Sequence, residues 1–456
     1  MSSALERIRS ATAGTEFEGR IYLVGGIVRD QVMGAPGNED VDLVLEGDAL
    51  RLARWLHSRG VSDHPPVVYR RFRTAMLTVA GRQVELVTAR SESYDRYSRK
   101  PLVQPASLAE DVLRRDFTIN TLLRNLHSDQ VLDLTGLGLS DIKRRIIRTP
   151  LDPVRTFDDD PLRMLRAVRF AARLGFDIEP ETYAALSTCA ERLAIISKER
   201  IRDEFTKTLM SPYAVRGIEM LLETGLLAQF APELLAMKAV EQNKYHLFDC
   251  WTHTVKTLDA LPTGTGLTVR LAALFHDVGK PETRTMDANG EAHFYGHQNV
   301  GASSAARALR RLRFSNDQIE TVRALVELHL RPGAYNAEWS DSAVRRLMRD
   351  AGPLLDDLFV LSEADSAASN PQLIHPDYPA LEGRIAAVKA HLGVEQIRSP
   401  LDGHEIIKLL RIKPGPRVRE VKEFLVEEVL EGRLRPEDKD AATESVLRAF
   451  APPGGA

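Results

Sequence analysis

Two carboxylates one residue apart, Asp40 and Asp42, follow a paired-glycine turn in the stretch LVGGIVRDQVMGAPGNEDVDL. The apolar residues Val41, Leu43, Val44 and Leu45 make this a strand, whose period of two turns both carboxylates to one face. So placed, Asp40 and Asp42 can share two Mg²⁺ ions roughly 3.5 to 4 Å apart, which activate an attacking hydroxyl and neutralise a leaving pyrophosphate in an in-line displacement at phosphorus. Gly25 and Gly26 lack Cβ atoms, so backbone N–H groups can close on a triphosphate, and Arg29 adds charge beside them. A lone DxD or a lone GG more often marks a solvated strand end or a turn. Their combination at this spacing, on a predicted strand, favours chemistry.

The elements that must hold these residues change character once along the chain. Between Gly19 and Leu126 short β-like runs dominate: Ile21–Val24, Val41–Leu45, Thr74–Val79 and Val84–Val87, the last two joined by a turn at Ala80 and Gly81. With a helix over 48–59 they predict a small mixed sheet. The polar, proline-containing segment 90–110 has no clear period and reads as a mobile active-site loop or a linker. From about Pro161 onward nearly everything has helical period. A length of 456 residues suggests about three domains. Hydrophobic content of 43% with 27% charged residues is ordinary for a globular chain, and no apolar run approaches the roughly 20 residues that span a membrane. The N-terminus has no apolar stretch of signal-peptide length, and Cys189 and Cys250 lack metal-ligand spacing, so a cytoplasmic protein with reduced thiols is expected. A net charge of −3 leaves any RNA contact to local patches. Nothing in the sequence sets an oligomeric state.

The ordered motifs resemble the class II tRNA nucleotidyltransferases, which share their head with bacterial poly(A) polymerases. The likeness covers GGIVRD (25–30), DVDLVLEGDA (40–49), VELVTARSESY (84–94), LRRDFTINTL (113–122), DLTGLGLSDIKRRIIR (133–148), DDPLRMLRAVRFAARLGF (159–176), SKERIRDE (197–204) and the tail over 401–434. The resemblance implies a template-independent polymerase that adds C, C and A to tRNA 3′ ends from CTP and ATP.

The later residues agree with that chemistry. Arg114 and Arg115 can bind phosphates, Asp116 can accept from a ribose hydroxyl, and Asn120 offers both donor and acceptor; the competing reading is a helix-start ion pair. The resemblance gives Arg115 and Asp116 the nucleotide's sugar and phosphates. Glu85 either supplies a third acid near the metals or is an exposed glutamate on an edge strand. Asp160 and Arg163 lie three apart at a helix start opened by Pro161 and project to one side. A carboxylate accepts from the exocyclic amine of cytosine or adenine while a guanidinium donates to the neighbouring ring acceptor; uracil and guanine present the opposite pattern. The alternative is that Asp160 caps the helix and Arg163 pairs with the acids before it. Arg166 continues the face as a further nucleotide contact, with Arg169 and Arg173 left open.

A second constellation lies in the middle of the chain. His253, the pair His276-Asp277 ending LAALFHDVGK, His297, His329 and Asp365 follow the order of an HD domain. Neutral imidazole and carboxylate suit a divalent transition metal or Mg²⁺, although isolated histidines are more often ordinary core or surface residues. Some nucleotidyltransferases resembling this one carry such a domain with metal-dependent phosphohydrolase activity. In the tail, Lys408, Arg411, Lys413, Arg417 and Arg419 flank a Pro-Gly-Pro turn; the resemblance implies support of the tRNA elbow, and the alternative is a solvated helix face.

The expected architecture is an α+β multidomain protein: a polymerase-β-like nucleotidyltransferase head (18–150), an α-helical nucleotide-selecting neck (151–240), an HD body (241–372) and a helical tRNA-binding tail (373–456). The rival activities are CC-only or A-only addition and poly(A) polymerisation. From another class, an HD phosphohydrolase with a nucleotide-binding head also stands. The loop between Ala89 and Arg114 is full length beside family members, which disfavours CC-only addition. DRYSRKPLVQPA lacks a glycine-containing centre, which leaves A-only and complete addition both open.

Overall fold

The computed structural model describes residues 3–35, 41–95, 98–243, 245–392 and 398–450. Asp40 lies outside the described residues, so the predicted carboxylate pair is described through Asp42 alone. Contacts group the chain into two compact units, Met1–Leu235 with Arg311–Phe314, and Ala236–Arg310 with Ser315–Ala456.

The first unit is built on a seven-stranded mixed sheet of β1 (Ile21–Val24), β2 (Val41–Leu45), β3 (Val67–Tyr69), β4 (Thr74–Val79), β5 (Arg82–Thr88), β8 (Leu123–Asn125) and β9 (Val131–Leu132). Their order is β3-β4-β5-β2-β1-β8-β9. β1 runs antiparallel to β2, with Leu23 opposite Leu43, and β2 runs parallel to β5, with Asp42 opposite Glu85. Leu23, Leu43, Val44, Val84 and Leu86 are buried, so the centre of the sheet is held by the apolar runs that the sequence pattern marks. β3, β8 and β9 are too short, or too polar, to carry a readable period. Helix Ala49–Ser58 packs against β4 and β5 through Leu52, Ala53 and Leu56, and Asp48 caps it by accepting from Leu50 N and Arg51 N.

Segment 90–105, expected to be irregular, instead forms an antiparallel ribbon of β6 (Arg90–Asp95) and β7 (Ser98–Pro105). Backbone hydrogen bonds make this ribbon without a hydrophobic period in the sequence to announce it. It leads into helix Leu108–Leu113, started by a capping box between Ser107 and Glu110.

Helices take over at Pro153–Asp159 and Leu162–Leu174. The second of these is the hub of the unit: ten of its thirteen residues are buried, and it packs against Lys198–Leu209 and Ala214–Glu223. The helical part is not purely α. Ile146–Ile147 pairs in parallel with Asp177–Ile178, and Thr285–Met286 pairs with Ala292–His293.

The second unit packs Cys250–Ala260, Leu267–Phe275, Asn316–Leu328 and Leu355–Ala367 around one another. Its last three helices, Gly403–Leu410, Pro416–Leu430 and Lys439–Phe450, bury their own core of Ile406, Val421, Leu425, Val429, Ala442 and Val446. Among the described residues no helix is long and apolar enough to cross a membrane.

Candidate active site and metal centre

In the first unit a polar cleft of about 590 Å³ is lined by Gly25, Gly26, Arg29, Asp42, Arg115, Asp116, Asn120, Asp160, Arg163 and Arg166. Every described head and neck residue singled out from the sequence as catalytic or nucleotide-binding therefore meets in one place. Gly25 sits at φ 77°, a left-handed conformation, and a Cβ there would lie 3.8 Å from Asp42 Oδ2. The bare turn thus lies close against the carboxylate.

Glu85 is on an interior strand between β4 and β2, so the exposed-edge reading is overturned. It is directly opposite Asp42 and shares its face. Burial first, and then the charge of Asp42, push its carboxyl above the ordinary value, with Arg90 and Arg115 opposing them. Two carboxylates held side by side at that cost suit a shared divalent cation.

The arginines of the cleft are already engaged. Arg29 is buried; its Nε donates to Asp30 Oδ1 (2.8 Å) and its Nη1 to Asn120 Oδ1 (2.9 Å). Asn120 Nδ2 donates to Asp116 Oδ1 (3.0 Å), and Asp116 Oδ2 accepts from Arg166 Nε (2.8 Å) and Nη2 (2.5 Å). Burial raises the Asp116 carboxyl, but the Arg166 charge and the Asn120 and Arg166 hydrogen bonds outweigh it and hold the group well below its ordinary value. Phe170 underlies this chain, with the Arg29, Arg166 and Arg169 guanidiniums 5.2, 5.5 and 4.3 Å from its ring centre.

Asp111 was not anticipated. Fully buried, it accepts from Arg114 Nη2 (2.6 Å) on Oδ1 and from Arg115 Nη2 (2.8 Å) on Oδ2. The available signal was its position one helical turn before both arginines.

Asp160 and Arg163 line the same cleft with different partners. Asp160 Oδ1 accepts from Leu162 N (3.2 Å), as the capping alternative requires, while Oδ2 meets Arg200 Nη2 at 3.4 Å. Arg163 Nη2 donates to Arg114 O (2.6 Å) and Nη1 to Thr156 O (3.5 Å), both backbone carbonyls rather than the preceding acids. Arg169 pairs with buried Glu204 at 2.6 Å, deeper in the neck.

The second unit gathers all six HD residues. His253 Nε2 lies 2.8 Å from Asp365 Oδ1, His276 Nε2 3.2 Å from Asp277 Oδ2, and His297 Nε2 3.3 Å from Asp277 Oδ1. His329 Nε2 is 4.0 Å from Asp277 Oδ1. Each of the four imidazoles turns Nδ1 toward a backbone carbonyl: Ala368, Ala273, Phe294 and Val326 in chain order. Nδ1–H donating there directs each Nε2 inward. Burial lowers His276, but the charges and hydrogen bonds of Asp277 and Asp365 outweigh it and raise the group to about 10, so that ring gives up a proton on taking a cation. Burial, followed by the charge of His276, pushes His329 down to about 3 and so keeps it neutral. Nε2 of His329 is buried without a hydrogen-bond partner, and the ligand atoms of His253, His276 and Asp277, and of Asp277, His297 and His329, form tight groups. This donor set fits a divalent metal. Gly279 makes the approach possible, since a Cβ there would stand 2.2 Å from His297 O. Two residues were missed: Lys280, buried with Nζ 2.6 Å from Asp277 Oδ2, and His246, whose Nε2 is 3.3 Å from Lys280 Nζ. The HDVGK run carries the signal for the lysine.

In the tail, Arg419 of the basic cluster pairs with Glu423 at 2.7 Å, and Pro416 opens the helix after the Pro-Gly-Pro turn.

The sheet and its cleft define a class, the nucleotidyltransferases with a poly(A)-polymerase-type head. The family model for the poly A polymerase head domain matches residues 21–148, that for the probable RNA and SrmB-binding site of polymerase A matches 175–238, and that for the HD domain matches 245–370. An A-adding tRNA nucleotidyltransferase of Deinococcus radiodurans is 36% identical over 341 residues, 71% of this chain and 75% of the relative. A CC-adding tRNA nucleotidyltransferase of Thermus thermophilus is 35% identical over 355 residues, 75% of this chain and 76% of the relative. The crystal structure of the Bacillus stearothermophilus CCA-adding enzyme in complex with CTP shares the fold, with a TM-score of 0.69 at 23% identity over 98% of both chains. The chain belongs to the tRNA nucleotidyltransferase family, and is an enzyme of that family with a fused HD domain.

Proposed function

We propose that this enzyme transfers nucleotides from CTP and ATP to the 3′ end of tRNA without a template, building CCA or part of it, and that its HD centre is a metal-dependent phosphohydrolase. The observation that carries the first reading is the single cleft in which the Gly25 turn and Asp42 face Arg115, Asp116, Asp160 and Arg163. The four segments of the sequence reading supply the parts: head (18–150), neck (151–240), HD body (241–372) and tRNA-binding tail (373–456).

Asp40 and Asp42, with Glu85 beside Asp42, would hold Mg²⁺, which supplies charge neutralisation at the reacting phosphate when bound. The protein's own residues do the rest. Backbone N–H groups at Gly25 and Gly26 bind the triphosphate, and Arg115, held in place by Asp111, adds charge. Asp116 and Asn120 meet the sugar. Asp160 and Arg163 read the base edge by the pattern of donors and acceptors that cytosine and adenine share. Preformed hydrogen bonds lock each of these groups before substrate arrives, which lowers the reorganisation left for the reaction. His253, His276, Asp277, His297, His329 and Asp365 would hold the HD metal; the two overlapping ligand groups that share Asp277, and Asp365 beside His253, support this.

The test is to incubate the enzyme with tRNA ending at the discriminator base, at C or at CC, with CTP and ATP singly and together, and to sequence the products. Addition to all three supports complete CCA synthesis. Addition to the CC substrate alone makes it an A-adding specialist, arrest after CC a CC-adding one, and long adenylate tails a poly(A) polymerase. No addition to any of them overturns the reading and leaves the HD hydrolase.

A further inference from the structure

We propose that Tyr69, Arg71 and Phe72, on the exposed sheet edge beside the cleft, form a stacking platform for the single-stranded 3′ end of the RNA being extended. This rests on the reading of the cleft as a nucleotidyl-transfer site and adds the path by which its second substrate enters.

β3 is the outermost strand of the sheet. Such edges are normally blunted with charge or proline. Here Val67 is 55% exposed and Tyr69 48%, and the 3₁₀ turn Arg70–Phe72 that follows leaves Phe72 39% exposed. The sequence VVYRRFR therefore presents two rings among three arginines, with the Arg71 guanidinium 5.8 Å from the Phe72 ring centre. Rings that accept bases and guanidiniums that meet phosphates are what a single-stranded nucleic acid binds.

Register ties this edge to the chemistry. Asp42 is opposite Glu85, Glu85 opposite Met76, and Met76 opposite Val67. Opposed residues share a face, so Val67, about 14 Å away across three strand spacings, and Tyr69, two positions further along the strand, face the same side as Asp42. β1, which leads into the glycine turn, flanks β2 on one side and β5 flanks it on the other. In-line displacement puts the attacking hydroxyl opposite the leaving pyrophosphate. With the triphosphate at Gly25 and Gly26, the RNA terminus enters from the Glu85 side, over β4 and β3. Phe72 already lines the cleft, so the platform is continuous with it.

The turn is also fixed to the nucleotide side. Arg90 Nη1 donates to Phe72 O and, at 3.2 Å, to Thr74 Oγ1, while Arg90 N donates to Asp111 Oδ1 at 3.2 Å. The carboxylate that orients Arg114 and Arg115 thereby anchors the aromatic rim. Arg73 closes the turn at φ 53°, a strained conformation for a side-chain-bearing residue.

The experiment compares the wild type with Tyr69→Ala/Arg71→Ala, Phe72→Ala and the conservative Tyr69→Phe/Arg71→Lys. Two readouts are used: extension of tRNA lacking its last nucleotides, and binding of a 3′-fluorescent single-stranded RNA decamer against a duplex of the same sequence. The alanine variants are expected to raise KM for tRNA and weaken decamer binding by about five- to a hundredfold. For Tyr69→Ala/Arg71→Ala, KM for CTP and ATP stays within twofold, duplex binding is unaltered, and the conservative pair retains most of the RNA affinity. Unchanged KM for tRNA with unchanged decamer binding overturns the platform, as does an equal loss toward nucleotide and RNA. Loss of a dimer on sedimentation, with tRNA kinetics intact, assigns the edge to a second copy of the chain and also overturns it. A wild type that extends no tRNA, yet binds the decamer through Tyr69 and Phe72, refutes the proposed function and not the platform.

Discussion

Asp42 and Glu85 stand directly opposite each other on parallel strands, on one face of the sheet and beside the positive-φ turn at Gly25. Asp42→Ala is expected to abolish nucleotide addition while leaving any hydrolysis by the HD centre intact. Glu85→Gln keeps the shape, removes one negative charge, and should lower kcat on the order of a hundredfold. Single-turnover extension assays check both; a Glu85→Gln enzyme with wild-type kcat would remove Glu85 from the cation's surroundings.

Asp111 carries the orientation of Arg114 and Arg115. Burial raises its carboxyl, but the charges of Arg115 and Arg114 and their hydrogen bonds prevail, leaving it below the ordinary value. A lowered folded-state value makes its stabilisation complete above the ordinary carboxylate range and lost as pH falls through the lowered value. Asp111→Asn should therefore cost about 3 kcal/mol near neutral pH, and the gap in Tm from the wild type should close as pH drops below about 4. Thermal melts across that range decide it; a constant gap would mean that the carboxylate's charge is not what holds the arginines.

Asp160 and Arg163 are predicted to govern base choice rather than triphosphate grip. Asp160→Ala or Arg163→Ala should reduce discrimination against UTP and GTP by about ten- to a hundredfold while nucleotide affinity changes less. Competition between CTP and UTP on one tRNA measures it. Undiminished discrimination would confine Asp160 to its bond with Leu162 N and Arg163 to its two carbonyls.

His276→Ala and Asp277→Ala should each strip the HD centre of its metal without touching nucleotide addition. Metal content by mass spectrometry, and the rise in Tm when a divalent ion is added to chelated protein, report the loss independently of turnover. Saturation at about a hundred times Kd stabilises by roughly 2.7 kcal/mol, and that increment should vanish in the variants. A full metal complement in either variant would show that the ion sits elsewhere.

The gap between sequence and structure is instructive at particular residues. β1, β2 and β4 match their predicted bounds because two-residue alternation and apolar content are properties of neighbours in the chain. The ribbon over Arg90–Asp95 and Ser98–Pro105 is unreadable in the sequence because RSESYD and SRKPLVQP carry no regular alternation of apolar and polar residues. Arg29 reads in the sequence as charge beside the triphosphate turn and Arg166 as a nucleotide contact; both line the cleft, and the fold adds what spacing does not show, their bonds to Asp30, Asn120 and Asp116. Asp111 was visible one turn before two arginines, yet such spacing is common on solvated helices, and only burial distinguishes it.

By itself the sequence determined the order and chemical types of the functional groups: a glycine turn before paired aspartates, an arginine-aspartate motif, an aspartate and arginine three apart at a helix start, and an HD series. These are local patterns, set by spacing along one strand or one helical turn. Tertiary structure alone decided that Glu85 faces Asp42, that Arg29 reaches Asp116 through Asn120, and that four imidazoles from separate segments gather in two overlapping groups around Asp277. Strand order and helix packing bring distant segments together, and no local period encodes either.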